Sequence, residues 1–492
     1  MKYVLGIDFG GGSSKATLLA EDGSIAATST KEYESYSSAG GIVEQDPDDW
    51  YCATKYNITA ILEKTGVDAA DIVCISLDAA THTAVLLDED FIPTRRSIYW
   101  TDTRSVGEVK YLKENHKEEI ESIMLHSPDT IWTLPQLMWV KANEPEVWAK
   151  TKRIMFAKDY VRHKLTGDFV TDFIEAEGSM LFDYNKLDWS DKLLGICSVT
   201  RDMLPTLLRP TDIAGHITEA AALDTGLSAG TPVLCGTTDT VMEVMASGSV
   251  ASGQMTIKLA TAGRICIITD RAYRDRDIIN YSHVIEGLWY PGTATKACAS
   301  SYRWYRDTFG EDYRELDEGA KNVPAGSEGL IYHPYLNGEL TPYADPLLCG
   351  SFTGIRFSHT KAHFSRAVME GVAMSLLDCK KKIEALGIPH ADTAAIIGGG
   401  SYSPLWRQIV ADTLGIELIK KNNSDSSLGS AMMAGVVAKV FSSYEDAIGK
   451  CTVEECRTVP NAQNGEVYAK MYEKYKAVHD ALEDVYHKFS AI

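Results

Sequence analysis

Basic residues are in short supply: 48 lysines and arginines face 68 aspartates and glutamates, a formal charge of -20. Neutralising phosphates along a duplex needs the opposite balance, so nucleic acid is excluded as a partner and any phosphate contact must be local. Long apolar runs are missing too. No segment approaches the roughly 20 apolar residues that span a bilayer, which excludes a membrane partner, and Met1 to Ile7 reads as a strand entering a turn instead of a signal core. The ten cysteines include no CxxC pair, and Cys451 with Cys456 has neither the spacing nor the His neighbours of a zinc site. Reduced thiols in the cytoplasm are expected. There is no low-complexity tract, and 45% hydrophobic with 24% charged residues fits a chain folded throughout. At 492 residues the chain exceeds what one core supports, so two large domains with a cleft between them are expected.

Two tight turns organise what is present. Tyr3 to Ile7 leads through Asp8, Phe9, Gly10, Gly11, Gly12 and Ser13 into Lys15 to Ala20, a strand, a turn and a returning strand; Asp22-Gly23 starts a third strand. A Rossmann fingerprint or a P-loop places a helix directly after its glycines. Here a strand follows, and the Walker A spacing also fails. The same form recurs where Gln254 to Leu259 leads through Ala260, Thr261, Ala262 and Gly263 into Arg264 to Ile268. Two such hairpins, each opening one half of the chain, point to a duplicated domain with a boundary near Gly248: 1–247 and 248–492. Between them apolar strands (Ile72 to Leu77, Ala84 to Leu87) alternate with helices (Leu134 to Ala142, Lys158 to Leu165). The second half repeats the alternation, with a helix from about Lys361 to Leu386 stopped at Gly387, a strand Ala394 to Ile397, and helices near Leu405 to Leu414 and Leu428 to Val440. The fold class is α/β.

Phosphoryl transfer needs donors and a metal around a polyphosphate, a base near the acceptor hydroxyl, and closure against water. Gly10, Gly11 and Gly12 let backbone N–H groups approach an anion, and Ser13 and Lys15 add a hydroxyl and a cation. Asp8 at the strand end suits a hydrated magnesium ion, which prefers one or two carboxylates plus waters and phosphate oxygens. Asp239 follows the apolar Val233 to Cys235 and the small Gly236 to Thr238, at a strand's carboxyl end, where open α/β sheets place their sites. Trp100, Asp102 and Arg104 offer a polyol an aromatic face and charged groups. Thr81 and His82 end a loop after another strand. Each group also has a plainer reading: a solvated hairpin turn, a helix N-cap at Asp239, a satisfied or exposed His82, an exposed Asp102–Arg104 ion pair.

Together these segments resemble the FGGY carbohydrate kinases over nearly the whole chain, and among them the xylulokinases. Gly350 to Ile355 with His363 to Glu370 fits the family's second signature; Thr133, Leu134 and Pro135 with Trp139 resemble the first, with Gln136 where a lysine is usual. The resemblance implies two ribonuclease-H-like domains of the actin and hexokinase type, with ATP and sugar in the cleft between them. It implies Asp239 as the general base, and Asp8 as the catalytic aspartate that handles metal and phosphate. Gly11, Gly12, Ser13 and Lys15, then Thr261 and Gly263, would form the two phosphate turns. Ala299 and Arg303 would lie beside the nucleotide, and Gly399, Gly400 and Ser401 in the adenosine loop. Thr81, His82, Trp100, Asp102 and Arg104 would contact the sugar. The implied reaction uses ATP and Mg2+ to convert D-xylulose to D-xylulose 5-phosphate. Thr81 for a usual methionine, Leu340 for an arginine, Gly11 and Gly12 for hydroxyl residues and Thr240 for asparagine depart from the pattern. They leave open another polyol (ribulose, a pentitol, erythritol or gluconate), and, in another class, an actin-superfamily ATPase or chaperone-like protein. Symmetric dimers are the commonest closed assemblies, so a homodimer is expected on that count alone.

Overall fold

The first strand, β1 (Tyr3–Phe9), is apolar on both faces, with Val4, Leu5, Ile7 and Phe9 buried, as a strand covered on both sides must be. In this computed structural model, which describes residues 1–310 and 312–489, it pairs antiparallel with β2 (Ser13–Ala20) from Tyr3↔Ala20 to Phe9↔Ser14. Beyond β2 lies β3 (Ile25–Glu32), whose mostly exposed residues mark a sheet edge. On the other side β4 (Ile72–Ala79) runs parallel to β1, with Asp8 directly opposite Asp78. The sheet is completed by β5 (Ile213–His216) and β6 (Pro232–Leu234) in the order β5-β6-β4-β1-β2-β3. A two-residue strand, Thr237–Thr238, also runs parallel to the end of β4, with Thr237 opposite Asp78.

The second sheet repeats this design. It comprises β7 (Met255–Leu259), β8 (Gly263–Ile267), β9 (Gly292–Thr295), β10 (Thr393–Ile397), β11 (Glu417–Lys421) and β12 (Glu454–Thr458), in the order β9-β8-β7-β10-β11-β12. Pairings are antiparallel, antiparallel, parallel, parallel and antiparallel across each sheet from its hairpin edge. Three antiparallel strands continued by parallel ones are the ribonuclease-H-like pattern, here used twice.

The chain divides into two compact units. Unit 1 comprises Met1–Val250, Tyr281–Gly287 and Asn423–Val453; unit 2 comprises Ala251–Asn280, Leu288–Asn422 and the described residues from Glu454 onward. In unit 2, the helix Lys361–Ala385 buries Val368, Val372 and Leu376 at the spacing of one helical face, opens with a Thr360–His363 capping box, and stops before Gly387, whose φ is 65°. No helix among the described residues is long and apolar enough to cross a membrane, and all ten cysteines are free.

One close approach positions the chemistry of unit 1. The helix Ser426–Val437 lies against β1 at Gly6, where an added Cβ would stand 2.0 Å from the Ser427 carbonyl oxygen and 2.4 Å from the Ala431 nitrogen. Backbone atoms cannot yield as a flexible side chain would. Gly6→Ala is therefore expected to destabilise unit 1 by about 1–3 kcal/mol through overpacking, read as a lowered thermal unfolding midpoint; an unchanged midpoint would show that the helix is not seated on the strand.

Candidate functional site

In unit 1 the first turn is braced from behind. The Tyr33 hydroxyl donates to the Gly10 carbonyl, while the Ser35 hydroxyl (2.7 Å) and the Gln45 amide (2.9 Å) donate to that of Gly11. Gly11 and Gly12 are exposed, in a turn whose carbonyls are engaged by other segments. That geometry suits an anion. Lys15, the third residue of β2, is held by Asp425 at 2.6 Å. Burial opposes ionisation of Asp425, but the Lys15 charge and hydrogen bond outweigh it and hold its carboxyl below the usual range. Asp425 also caps the helix Ser426–Val437 by accepting the Leu428 N–H.

Acidic groups gather where the strands end. The Ser430 hydroxyl donates to Asp78 Oδ2 at 2.5 Å, and Ser426 hydrogen-bonds Asp8. Burial is the main cause that raises the Asp8 carboxyl to about 7; the hydrogen bond from Asp78 opposes the rise, and the charges of Asp239 and Glu243 add to it. Asp78, which is wholly buried, is raised further, by burial first and then by the Asp8 charge. Asp8 Oδ1 is buried and has no hydrogen-bond partner. A carboxylate oxygen in that condition is a place for a cation.

Asp239 is the first residue of the helix Asp239–Ala246, and the N-cap position belongs to Thr238. The capping reading of Asp239 is thereby corrected: its backbone is already helical, and its Oδ1 accepts the Thr240 hydroxyl at 3.1 Å. Because Thr238 lies opposite Ala79 in register, Asp239 leaves the sheet beside the segment that carries Thr81 and His82.

His82 is buried, and burial, reinforced by His126, lowers its imidazole to about 3, so it is neutral at pH 7. Its N–H donates to Glu175 and its carbonyl accepts the Thr133 hydroxyl at 2.9 Å. Asp102 and Arg104 do form an ion pair, but a buried one, contrary to the exposed alternative. Asp102 is 1% exposed and accepts the N–H groups of Val43 and Arg104 as well as the Arg104 guanidinium at 2.8 Å. Arg104 also binds Glu44 at 2.8 Å and lies 4.8 Å from the Trp139 ring centroid. Trp100, by contrast, is 36% exposed.

In unit 2 a cavity of about 880 Å³ is lined by Thr261, Ala299, Arg303, Gly399 and Gly400, together with Tyr402, Pro404 and Leu405. Five of the seven nucleotide candidates of this half thus share one pocket. Gly263 and Ser401 do not line it: Gly263 abuts Thr295 and Cys298, and the buried Ser401 hydroxyl donates to the Gly398 carbonyl at 2.6 Å. The second turn is clamped to the helix Ala299–Phe309, whose Ala299 N–H donates to Ala260 at 2.7 Å and whose Ser300 hydroxyl donates to Thr261 at 2.7 Å.

Sequence reasoning passed over Asp78, Glu243, Asp425, Ser426 and Ser430. Asp78 could have been found as an acid closing an apolar strand. The others come from helices whose approach to the first turn has no local sequence mark.

A duplicated ribonuclease-H-like unit, with an anion-suited turn beside paired carboxylates in one copy and a pocket of about 880 Å³ at the matching turn of the other, defines an ATP-dependent phosphotransferase of the actin and hexokinase type. The chain belongs to the FGGY family of carbohydrate kinases: residues 3–246 match its N-terminal domain and residues 233–438 its C-terminal domain. It is 31% identical over 490 residues to a xylulose kinase of Bacillus subtilis (strain 168), covering 99% of this chain and 98% of that one. A gluconokinase of Bacillus licheniformis is 28% identical over 98% of this chain and 97% of its own length. The crystal structure of a xylulose kinase from Rhodospirillum rubrum superposes with a TM-score of 0.91 at 26% identity, covering 99% of this chain and all of that one. The protein is accordingly an ATP-dependent carbohydrate kinase.

Glu177 is wholly buried, accepts the Ser282 N–H and hydroxyl, and is raised to about 8, chiefly by burial. The folded state therefore keeps a proton that the unfolded chain releases near pH 4.5. The stability from this proton is full below pH 4.5 and is lost as pH rises toward 8, at up to about 1.4 kcal/mol per pH unit. Glu177→Gln should flatten the fall in unfolding midpoint between pH 5 and 8, and an unchanged slope would place the titrating group elsewhere.

Proposed function

We propose that the chain transfers the γ-phosphoryl group of ATP to a terminal hydroxyl of an uncharged ketose, with D-xylulose giving D-xylulose 5-phosphate. The observation that carries this reading is Asp239 emerging from the sheet end next to both Asp8–Asp78 and the Thr81–His82 loop.

Asp239 accepts the proton of the attacking hydroxyl as its oxygen bonds to the γ-phosphorus; the bond from that phosphorus to the bridging oxygen breaks, and ADP leaves. Asp239 then returns the proton to solvent. The Gly11 and Gly12 amides, the Ser13 hydroxyl and Lys15 hold phosphate oxygens, with Lys15 kept in place by Asp425. The adenosine is assigned to the unit 2 pocket, beside Ala299, Arg303, Gly399 and Gly400. The unpartnered Asp8 Oδ1 fits a magnesium ion, with Asp78 as the adjoining acid; when bound, the ion would neutralise charge on the polyphosphate. Trp100 offers its face to the C–H side of the sugar. Ten free thiols support a cytoplasmic setting.

Asp239→Asn should lower kcat at least about 100-fold, as expected for loss of a positioned base, with the ATP KM little changed; near-wild-type turnover in the folded variant would sink the assignment. A coupled ADP-release screen across ketopentoses, pentitols and aldonates, compared as kcat/KM, should rank D-xylulose first. Efficient use of another compound with little D-xylulose activity would replace the substrate.

A further inference from the structure

His82 is held in a backbone conformation that L-residues seldom adopt, with φ of 56°. Such a residue persists only where its surroundings over-determine it, and such sites cluster at ligand clamps. Glu175 and Thr133 fix its backbone, as described above. Its side chain is met from elsewhere in the sequence: the Tyr281 hydroxyl lies 3.1 Å from His82 Nε2. Tyr281 opens the short segment Tyr281–Gly287, which folds into unit 1 although its chain neighbours belong to unit 2. The ring of Trp132 stands 4.9 Å from His82, and His126 stacks on Trp132 at 4.7 Å while standing 5.5 Å from Tyr281. Beneath them, a Cβ on Gly178 would come within 2.2 Å of His82 Cδ2, 2.8 Å of Thr81 Cγ2 and 3.1 Å of Tyr281 Oη. Thr81, His82 and Tyr281 thus all pack against one glycine.

We propose that Tyr281 is a specificity-determining residue of the acceptor site, acting with His82 to select an uncharged polyol and to reject a sugar acid. This rests on the reading that Thr81 and His82 face the acceptor. A phenol and an imidazole can each give or take a hydrogen bond, which suits hydroxyls of either polarity. A carboxylate needs a cation when it leaves water, and the cations of this part of unit 1 are engaged. Arg104 is bound by Asp102 and Glu44, and Lys158 by Asp159 and Asp172. Arg162 is bound by Asp159 and Asp168. His82 carries no charge at pH 7, and its backbone N–H is held by Glu175.

The test compares the full-length wild type with Tyr281→Phe, which keeps the ring and removes the hydroxyl. Steady-state kinetics with ATP would use D-gluconate and the best uncharged substrate of the screen, and sugar binding without nucleotide would be read by intrinsic tryptophan fluorescence. Wild type should favour the uncharged substrate over D-gluconate by at least about 100-fold in kcat/KM. In Tyr281→Phe the KM and Kd for that substrate should rise about tenfold, with kcat within about threefold and the ATP KM unchanged. Unchanged sugar KM and Kd, a parallel rise in the ATP KM, or wild-type use of D-gluconate as good as that of the polyol would each overturn the assignment while leaving the kinase reading intact. Absence of sugar-dependent ADP release from wild type would instead overturn the proposed reaction, and this inference with it.

Discussion

The site in unit 1 depends on the seating of one helix on one strand at Gly6. Without a side chain there, the helix Ser426–Val437 comes to backbone contact with β1. Its first turns thereby deliver Asp425 to Lys15, Ser426 to Asp8 and Ser430 to Asp78. The helix is fixed from its other side as well, since Gly429 admits the Met242 carbonyl of the Asp239–Ala246 helix, where a Cβ would stand 2.5 Å away. Two glycines, one on the strand and one on the helix, thus set how closely the turn, the acid pair and the proposed base approach one another.

A second constraint is electrostatic. Lys158 is wholly buried, and an unpaired charge there would be severely destabilising. Asp159 and Asp172 bind it at 2.5 and 2.9 Å. Asp172 also caps the short helix Phe173–Gly178 and accepts the Thr237 hydroxyl at 3.0 Å. The same carboxylate therefore joins the strand leading to Asp239 and the helix carrying Glu175, Glu177 and Gly178. Buried acids elsewhere lack a cation of this kind, and Asp8, Asp78 and Glu177 are driven toward their neutral forms. A negative net charge is compatible with an ATP-dependent kinase, because phosphate binding depends on local groups and not on the overall balance.

Much of this was legible from local pattern. The glycine-rich turn between two apolar strands announced β1 and β2, and its recurrence at Thr261 announced the second sheet, because hairpins are specified by a few adjacent residues. The helix Lys361–Ala385 followed from the spacing of Val368, Val372 and Leu376. Asp239 was harder. Its surroundings looked like a helix cap, and the shift of one residue that makes Thr238 the cap is below what cap propensity resolves. Asp102 and Arg104 were legible as a pair, but their burial depends on Glu44, Val43 and Trp139, which come from distant segments.

The sequence by itself determined the duplicated α/β design, the two turns and the kinase family, because strand-turn-strand order and the family's motifs are carried by contiguous residues. Only the tertiary structure decided which groups share a site. The partner of Lys15 lies 410 residues away at Asp425, that of Asp78 lies 352 away at Ser430, and that of His82 lies 199 away at Tyr281. Separations of that length leave no periodicity to read; they are set by close approaches at Gly6, Gly178 and Gly429, where the lack of a side chain has a meaning only when the facing element is known.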